Sequence, residues 1–244
     1  MTTHPWTRRM SGLAFWLAVA AIAVALIGTT LARYDVVDKL TGFMSFIYMS
    51  MACGGVAVIA LIALVMNWRT GWPAGRKALF GLILAVAGFS ALIILRSTAA
   101  NYPFIHDVTT DLDDLPTYTS LTIPDDNLRG VDTAEKWMAE HRKGYGDLTG
   151  ITLDMSPAEV IAKAEELAKA RGWTIAAAKP EEGRLEAVAY ASWLRFEDIV
   201  VVRATDAGNG KTRVDMRSIS RVGQSDLGEN AKRIREFLGA LQAS

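Results

Sequence analysis

A short stretch near the middle of the chain combines one histidine with several acids. His106 and Asp107 are adjacent, Asp111 follows four residues later, and Asp113 and Asp114 lie just beyond it. Imidazole and carboxylate groups at this spacing could bind a divalent metal or form an acid–base site. The alternative is a structural strap whose carboxylates are held by hydrogen bonds within the domain. The other histidines are not expected to join this site, since His4 precedes the first hydrophobic segment and His141 belongs to a separate predicted helix.

A second group of charged residues lies near the C-terminus. Arg213, Asp215, Arg217 and Arg221 alternate with apolar residues along one predicted strand. Such a row could bind an anion such as a phosphate or a lipid headgroup. It could equally be a cross-strand ladder of ion pairs, with Arg203 beside Asp215. The ladder is favoured because Asp215 interrupts the positive field, and docking of the acidic strap onto this strand would neutralise both groups.

Other catalytic signatures are missing from the sequence. Residues 223–228 read GQSDLG, which differs from the spacing of a G-x-S-x-G nucleophile elbow, so Ser225 or Asp226 is predicted to cap a helix. The sequence contains no P-loop, dinucleotide glycine motif, H-E-x-x-H motif or Cys/His cluster. Cys53 is the single cysteine, which excludes a disulfide within one chain. We therefore assign no catalytic residue, metal or cofactor.

The first hundred residues are dominated by three uncharged apolar runs, at about 13–32, 42–66 and 78–95. A bilayer core of ~30 Å needs about 20 helical residues, so each run predicts a membrane-spanning helix. The first run is longer than the apolar core of a cleaved signal peptide, and two further spans follow it. None of the three runs contains an ionisable residue other than Cys53 and Tyr48, which argues against a proton-coupled carrier.

The positive charges beside the spans predict the orientation. The N-terminus and the second loop carry Arg8, Arg9, Arg69, Arg76 and Lys77, and the opposite flanks carry Arg33, Lys39 and Arg96. This bias predicts a cytoplasmic N-terminus, with the rest of the chain in the periplasm of a bacterial inner membrane. Residues 1–100 have a formal charge of +6 and residues 101–244 a charge of −6. An acidic aqueous part argues against a nucleic-acid partner.

Residues 101–244 have the pattern of a membrane-anchored α+β domain. Prolines keep the strap at 101–129 extended, and Asp132 and Ser156 are predicted to begin two helices, the second with a capping box to Glu159. The expected strands are Trp173–Ala178, Arg184–Ser192, Phe196–Ala204 and Thr212–Arg221. A final helix is expected over Asp226–Leu241. The pattern predicts a four-stranded antiparallel sheet with helices on one face and a more open polar face.

Four stretches of this part resemble a known family. They read PFIHDVTTD at 103–111, YGDL at 145–148, GRLEA at 183–187 and RVDMRSISR at 213–221, the last continuing to Gly223, Asp226, Gly228, Asn230 and Arg233. Residues from about 101 to 241 resemble the DUF1499 family, a group of bacterial and plastid proteins of uncharacterised function. The family often has two consecutive Asp before the third strand, where this chain has Glu197 and Asp198. The resemblance implies a domain type but no reaction.

Three hypotheses of function follow. The first is a non-enzymatic envelope protein whose periplasmic domain binds a lipid, glycan or protein partner through the face formed by the charged strand residues. The second is a membrane-tethered hydrolase or metal-dependent enzyme that uses His106, Asp107 and Asp111. The third is an assembly subunit of a membrane complex whose function resides in its helices. The first is favoured because no complete catalytic set is recognisable.

Overall fold

The structure, a computed structural model, describes residues 4–243. The chain divides into two compact units, Met1–Ala100 and Asn101–Ser244.

The first unit is built from long apolar helices. Within the described residues these are α1 (Pro5–Arg33), α2 (Lys39–Arg69) and α3 (Gly75–Ala99). Each is long and apolar enough to cross a membrane. The expectation of three apolar helices is therefore confirmed, and each helix extends beyond its uncharged run because flanking polar residues continue the same backbone hydrogen bonding.

Small residues let these helices approach closely. A Cβ added to Gly81 would lie 2.9 Å from the backbone nitrogen of Phe15, and one added to Gly88 would lie 2.6 Å from the Cys53 Sγ. Ala85 is fully buried between the helices. Small residues at these positions therefore permit close van der Waals contact, through which apolar helices in lipid mainly associate.

The second unit has more strands than the sequence predicted. Over residues 101–243 its strands are β1 (Asp107–Thr109), β2 (Ile151–Leu153), β3 (Thr174–Lys179), β4 (Arg184–Ala191), β5 (Phe196–Gly208) and β6 (Lys211–Ser220). They form one antiparallel sheet in the order β1-β6-β5-β4-β3, and β2 also pairs with β6. The prediction of four strands was wrong, although the α+β class is confirmed. The two missed strands have three residues each, too few for alternation to be recognised.

The helices of this unit are α4 (Ala134–Tyr145), α5 (Pro157–Ala170) and α6 (Glu229–Ala243), and a 3₁₀ turn spans Pro180–Glu182. Helices α5 and α6 cover one face of the sheet, whereas α4 contacts β1. The capping box of Ser156 and Glu159 is confirmed at the start of α5. Two predicted helix starts shift: Thr133 rather than Asp132 caps α4, and α6 begins at Glu229. Asp226 still accepts the backbone N–H of Asn230 at 2.7 Å, as a capping carboxylate does.

Candidate functional site

The strap covers the sheet face that carries the charged residues of β6. Within the strap, Asp107 lies opposite Ile219 and Thr109 lies opposite Arg217 in the antiparallel register. The side chains of Asp215 and Arg217 are only 3% and 8% exposed. The prediction of a more open polar face was therefore wrong, because the strap itself occupies that face.

Asp107 and Arg217 form a buried bidentate ion pair. The carboxylate oxygens of Asp107 accept the Arg217 Nε at 2.9 Å and Nη2 at 2.6 Å, and Asn127 Nδ2 donates at 2.7 Å. Trp137 donates its indole N–H to the Asp107 carbonyl at 2.9 Å and lies beneath the guanidinium. Burial alone would lower the pKa of Arg217, but the adjacent carboxylate outweighs it and raises that pKa. Two nitrogens of this guanidinium are thus engaged by a carboxylate within the domain, which neutralises its charge.

A second network connects the strap to Asp215. Arg203 lies opposite Asp215 in the register, with a nitrogen–oxygen distance of 3.6 Å, which confirms the expected cross-strand pair. Arg203 also contacts Asp111 at 3.2 Å and Asp114 at 2.9 Å, so the expected docking of strap carboxylates is found. Arg213 contacts Asp215 at 3.1 Å. The ladder, rather than an open anion site, describes these residues.

Sequence reasoning missed Glu186, which fastens the C-terminal part of the strap. This carboxylate is fully buried in β4 and accepts the backbone N–H groups of Thr119, Ser120 and Leu121 at 2.6 to 2.9 Å. Burial alone would raise the pKa of Glu186, but the donated hydrogen bonds outweigh it and lower that pKa. The available signal was a single acid followed by the apolar run of residues 187–191 in the same strand.

The three acid–base candidates, His106, Asp107 and Asp111, have different surroundings in the structure. His106 is 2% exposed, and its ring nitrogens make no hydrogen bond to the part of the chain that the structure describes. Burial, followed by the charge of Arg129, lowers the pKa of His106, which favours the neutral ring. Asp107 is held by Arg217, whereas Asp111 is held by Arg203.

The same region offers no cluster of metal ligands. Among residues 4–243, no group of three or more His, Cys, Asp or Glu side chains is arranged to hold a metal. His141 was not expected near the strap, but its Nε2 accepts the backbone N–H of Thr109 at 3.1 Å. Its role there is that of a buried hydrogen-bond acceptor.

The helix-covered face contains a buried polar network around Asn230. Its side-chain amide donates to the His106 carbonyl at 2.9 Å and to Ser220 Oγ at 3.0 Å, and its oxygen accepts from Ser218 Oγ at 2.6 Å. On the same helix, Arg233 pairs with the buried Asp198. These contacts join α6 to the sheet and to the start of the strap, so this network also has a structural role.

Comparison with known protein families gives one match, and it lies in the second unit. A family model described as a protein of unknown function (DUF1499) matches residues 107–241. The chain belongs to the DUF1499 family. No curated protein matches it. The stretches that resemble the family contribute Asp107, Glu186, Arg217, Asn230 and Arg233, and each of these residues makes one of the internal contacts described above.

The large apolar side chains that remain exposed in the described part of this unit lie towards one end of the sheet. The large apolar side chains that are exposed within residues 101–243, here called the apolar end, are Tyr102, Phe104, Leu128, Trp193 and Val222. They share this end because the start of β1, the end of β6 and the turn between β4 and β5 all lie there. Gly130 lies against the side chains of both Phe104 and Gln224. The start of the strap therefore packs near the segment that follows β6.

The two ends of the sheet have different chemistry. At the apolar end, Arg221 makes an exposed ion pair with Glu197 at 3.3 Å. At the opposite end, where the turn between β5 and β6 lies, Lys211 pairs with Asp154 and Lys179 pairs with Glu182. None of the exposed large apolar residues of the described part of this unit lies there. The exposed large apolar side chains of the described part of this unit are therefore concentrated at one end of the sheet.

Proposed function

We propose that this protein is a non-enzymatic protein of the bacterial inner membrane whose periplasmic domain binds lipid at the membrane surface. The observation that supports it is the apolar end. The charged groups that could have performed catalysis are engaged with one another, as in the pair of Asp107 with Arg217. The apolar end is the remaining surface that burial would stabilise, at about 25 cal/mol for each Å² removed from water.

Lipid is favoured over a glycan or a protein partner by the position and chemistry of this surface. Tyr102 follows the last residue of α3, Ala99, by three positions. Three extended residues span at most ~11 Å, so the chain itself keeps Tyr102 close to the end of a membrane-spanning helix. Tyrosine and tryptophan side chains are enriched at this depth because an amphipathic ring suits the headgroup layer. Trp193, at 59% exposure, is the most exposed large apolar residue of the surface.

This proposal requires the second unit to lie in the periplasm, and the positive charges beside the apolar helices support that orientation. Five cations lie on the side of the N-terminus and three on the other, which supports a cytoplasmic N-terminus and a periplasmic domain. Reporter fusions after Arg69 and after Ser244 should report cytoplasm and periplasm respectively. The reverse result would overturn the topology.

The lipid contact is tested with a fluorescent probe on the full chain in lipid nanodiscs. In a Cys53→Ser background, Trp193→Cys and Glu181→Cys are labelled with an environment-sensitive dye, the second as a control at the polar end. We expect the dye at position 193 to be shifted to the blue and quenched by lipids that carry a nitroxide near the headgroup. The dye at position 181 should remain in water.

Each result distinguishes a class of partner. A buried dye at position 193 without lipid quenching would indicate a protein contact and refute the lipid proposal. If the dyes at positions 193 and 181 are equally exposed to water, the apolar end is not a binding surface. A stoichiometric divalent metal in native mass spectrometry of the full chain from its own host would instead favour the enzyme hypothesis.

A further inference from the structure

The loop between α2 and α3 borders a cavity of the first unit that is partly open to its surroundings. Its volume is about 390 Å³, and its lining includes Arg8, Trp72, Gly75, Arg76 and Lys77, which together are called the cationic cavity. Small-molecule sites in proteins have volumes of roughly 300–1,000 Å³, so the cavity is large enough for a phospholipid headgroup. It lies outside the apolar end and outside the strap-covered face, and none of the functions discussed above involves it.

A buried asparagine shapes this loop. Asn67 is fully buried near the end of α2, and its Oδ1 accepts the backbone N–H of Ala74 at 2.8 Å while its Nδ2 donates to Ser11 Oγ at 2.8 Å. The Asn67 carbonyl accepts the backbone N–H of Trp72 at 2.8 Å. These bonds tie the loop to two helices at once, so the walls of the cavity are held in place before any ligand arrives.

The backbone of the loop has an unusual conformation. Trp72 has a φ of 65°, in the left-handed region that side chains other than glycine rarely adopt. Its indole lies against Gly75, where an added Cβ would collide with the ring. Strained backbone of this kind persists where the surrounding contacts hold it and is concentrated at ligand sites.

The charges of the cavity are uncompensated. Arg8, Arg76 and Lys77 make no ion pair with any of residues 4–243. The acids of the membrane unit are Asp35 and Asp38, which lie at the opposite ends of α1 and α2, where Asp35 pairs with Lys39 and Asp38 caps α2. The first turn of α3 has no side-chain cap, so the positive end of its dipole adds to the field. The cavity therefore favours an anion.

We propose that the cationic cavity binds phosphate, supplied by the headgroup of an anionic phospholipid. The cations flank membrane-spanning helices, Trp72 has the amphipathic ring typical of the interface, and phosphate accepts several charge-assisted hydrogen bonds at once. Basic pockets between transmembrane helices are known to bind lipid headgroups in this way. Inorganic phosphate has the same chemistry, and the experiment separates the two sources.

The test is native mass spectrometry of the full chain in detergent, titrated separately with phosphatidylglycerol, phosphatidylcholine and inorganic phosphate. The wild type should bind one phosphatidylglycerol more tightly than phosphatidylcholine. The double variant Arg76→Gln with Lys77→Gln should bind it more weakly, on the order of tenfold for each charge removed. Arg96→Gln, at the other end of α3, removes an exposed charge and should bind as the wild type does.

A charge-conserving variant separates charge from folding. Arg76→Lys with Lys77→Arg keeps both cations and should retain most of the binding. Inorganic phosphate that binds as tightly as phosphatidylglycerol would identify free phosphate as the ligand of the same site. Equal lipid binding by the wild type and the double glutamine variant would overturn the proposal, as would equal loss in the charge-conserving variant.

Discussion

Replacement of Asp107 by Asn removes one charge of the buried pair that joins the strap to β6. Asp107 and Arg217 are 2% and 8% exposed in their side chains, and two nitrogen–oxygen contacts of 2.6 and 2.9 Å join them. The variant has nearly the same volume, and its amide oxygen can still accept one hydrogen bond. What it loses is the compensation of the buried guanidinium charge.

The expected cost is large relative to the stability of a domain. Removal of one partner of a buried ion pair costs about 3–5 kcal/mol, because the other charge is left uncompensated. Asp107→Asn should lie near the lower limit, at about 3 kcal/mol, since Asn can retain one hydrogen bond. A typical domain has a free energy of unfolding of about 5–15 kcal/mol, so the strap should open far more often in the variant.

Amide hydrogen exchange of the full chain in nanodiscs measures this opening directly. Peptides that cover residues 107–121 should exchange roughly 100-fold faster in Asp107→Asn than in the wild type, from tenfold for each 1.4 kcal/mol. Peptides from α1 and α2 should be unchanged. Asp113→Asn is the matched control, because the Asp113 side chain is 97% exposed and its change should cost less than about 0.5 kcal/mol.

A double variant tests the physical reason for the effect. Asp107→Leu with Arg217→Met replaces both charges by apolar side chains, and it should be more stable than Asp107→Leu alone because no unpaired charge remains buried. Exchange in Asp107→Asn within about threefold of the Asp113→Asn rate would refute the reasoning, since threefold is well under 1.4 kcal/mol.

Three further predictions concern the same domain. Glu186→Gln should release the strap at residues 119–121 and cost about 1.5–3 kcal/mol, measured by exchange of that segment, whereas the exposed Glu181→Gln should have no effect. Burial raises the pKa of Asp226 to about 6 from 3.8, so the folded state binds the proton more tightly and the free energy of unfolding should fall as the pH rises from about 4 to about 6. In Asp226→Asn the denaturation midpoint should no longer show this pH dependence, which is worth up to about 3 kcal/mol in the free energy of unfolding. A pH profile identical to that of the wild type would contradict the assignment of this dependence to Asp226. Gly183→Ala should destabilise the domain more than Gly172→Ala in thermal unfolding, because both have positive φ but only the first would push a Cβ into a carbonyl group of β5.

Local signals in the sequence predicted much of the fold. The apolar runs indicated the three long helices, because a bilayer requires about 20 uncharged residues for each span. The capping box at Ser156 and Glu159 placed the start of α5 within one residue. The four longer strands were predicted, the last of them with clear alternation, and the residues of that strand supported the resemblance to the family. All of these signals are local, since each depends on residues within one continuous stretch of the sequence.

Shorter elements and the apolar end escaped this reasoning. Strands β1 and β2 have three residues each and pair with a strand that lies far away in the sequence, so their own residues carry no periodic pattern. The apolar end collects Phe104, Trp193 and Val222 from three separate segments. Each of them alone is an ordinary exposed side chain, and only the pairing of the strands brings their segments to the same end of the sheet.

The sequence by itself determined the three long apolar helices, the α+β class and the presence of opposite charges in the strap and in β6. Tertiary structure decided which charges meet. Asp107 and Arg217 are 110 residues apart, and their contact depends on the register of β1 against β6. That register is set by burial and hydrogen bonding across the whole sheet, since a shift by one residue would turn every side chain to the other face. For this physical reason, a row of charges that could have formed an open binding face is instead closed by the strap.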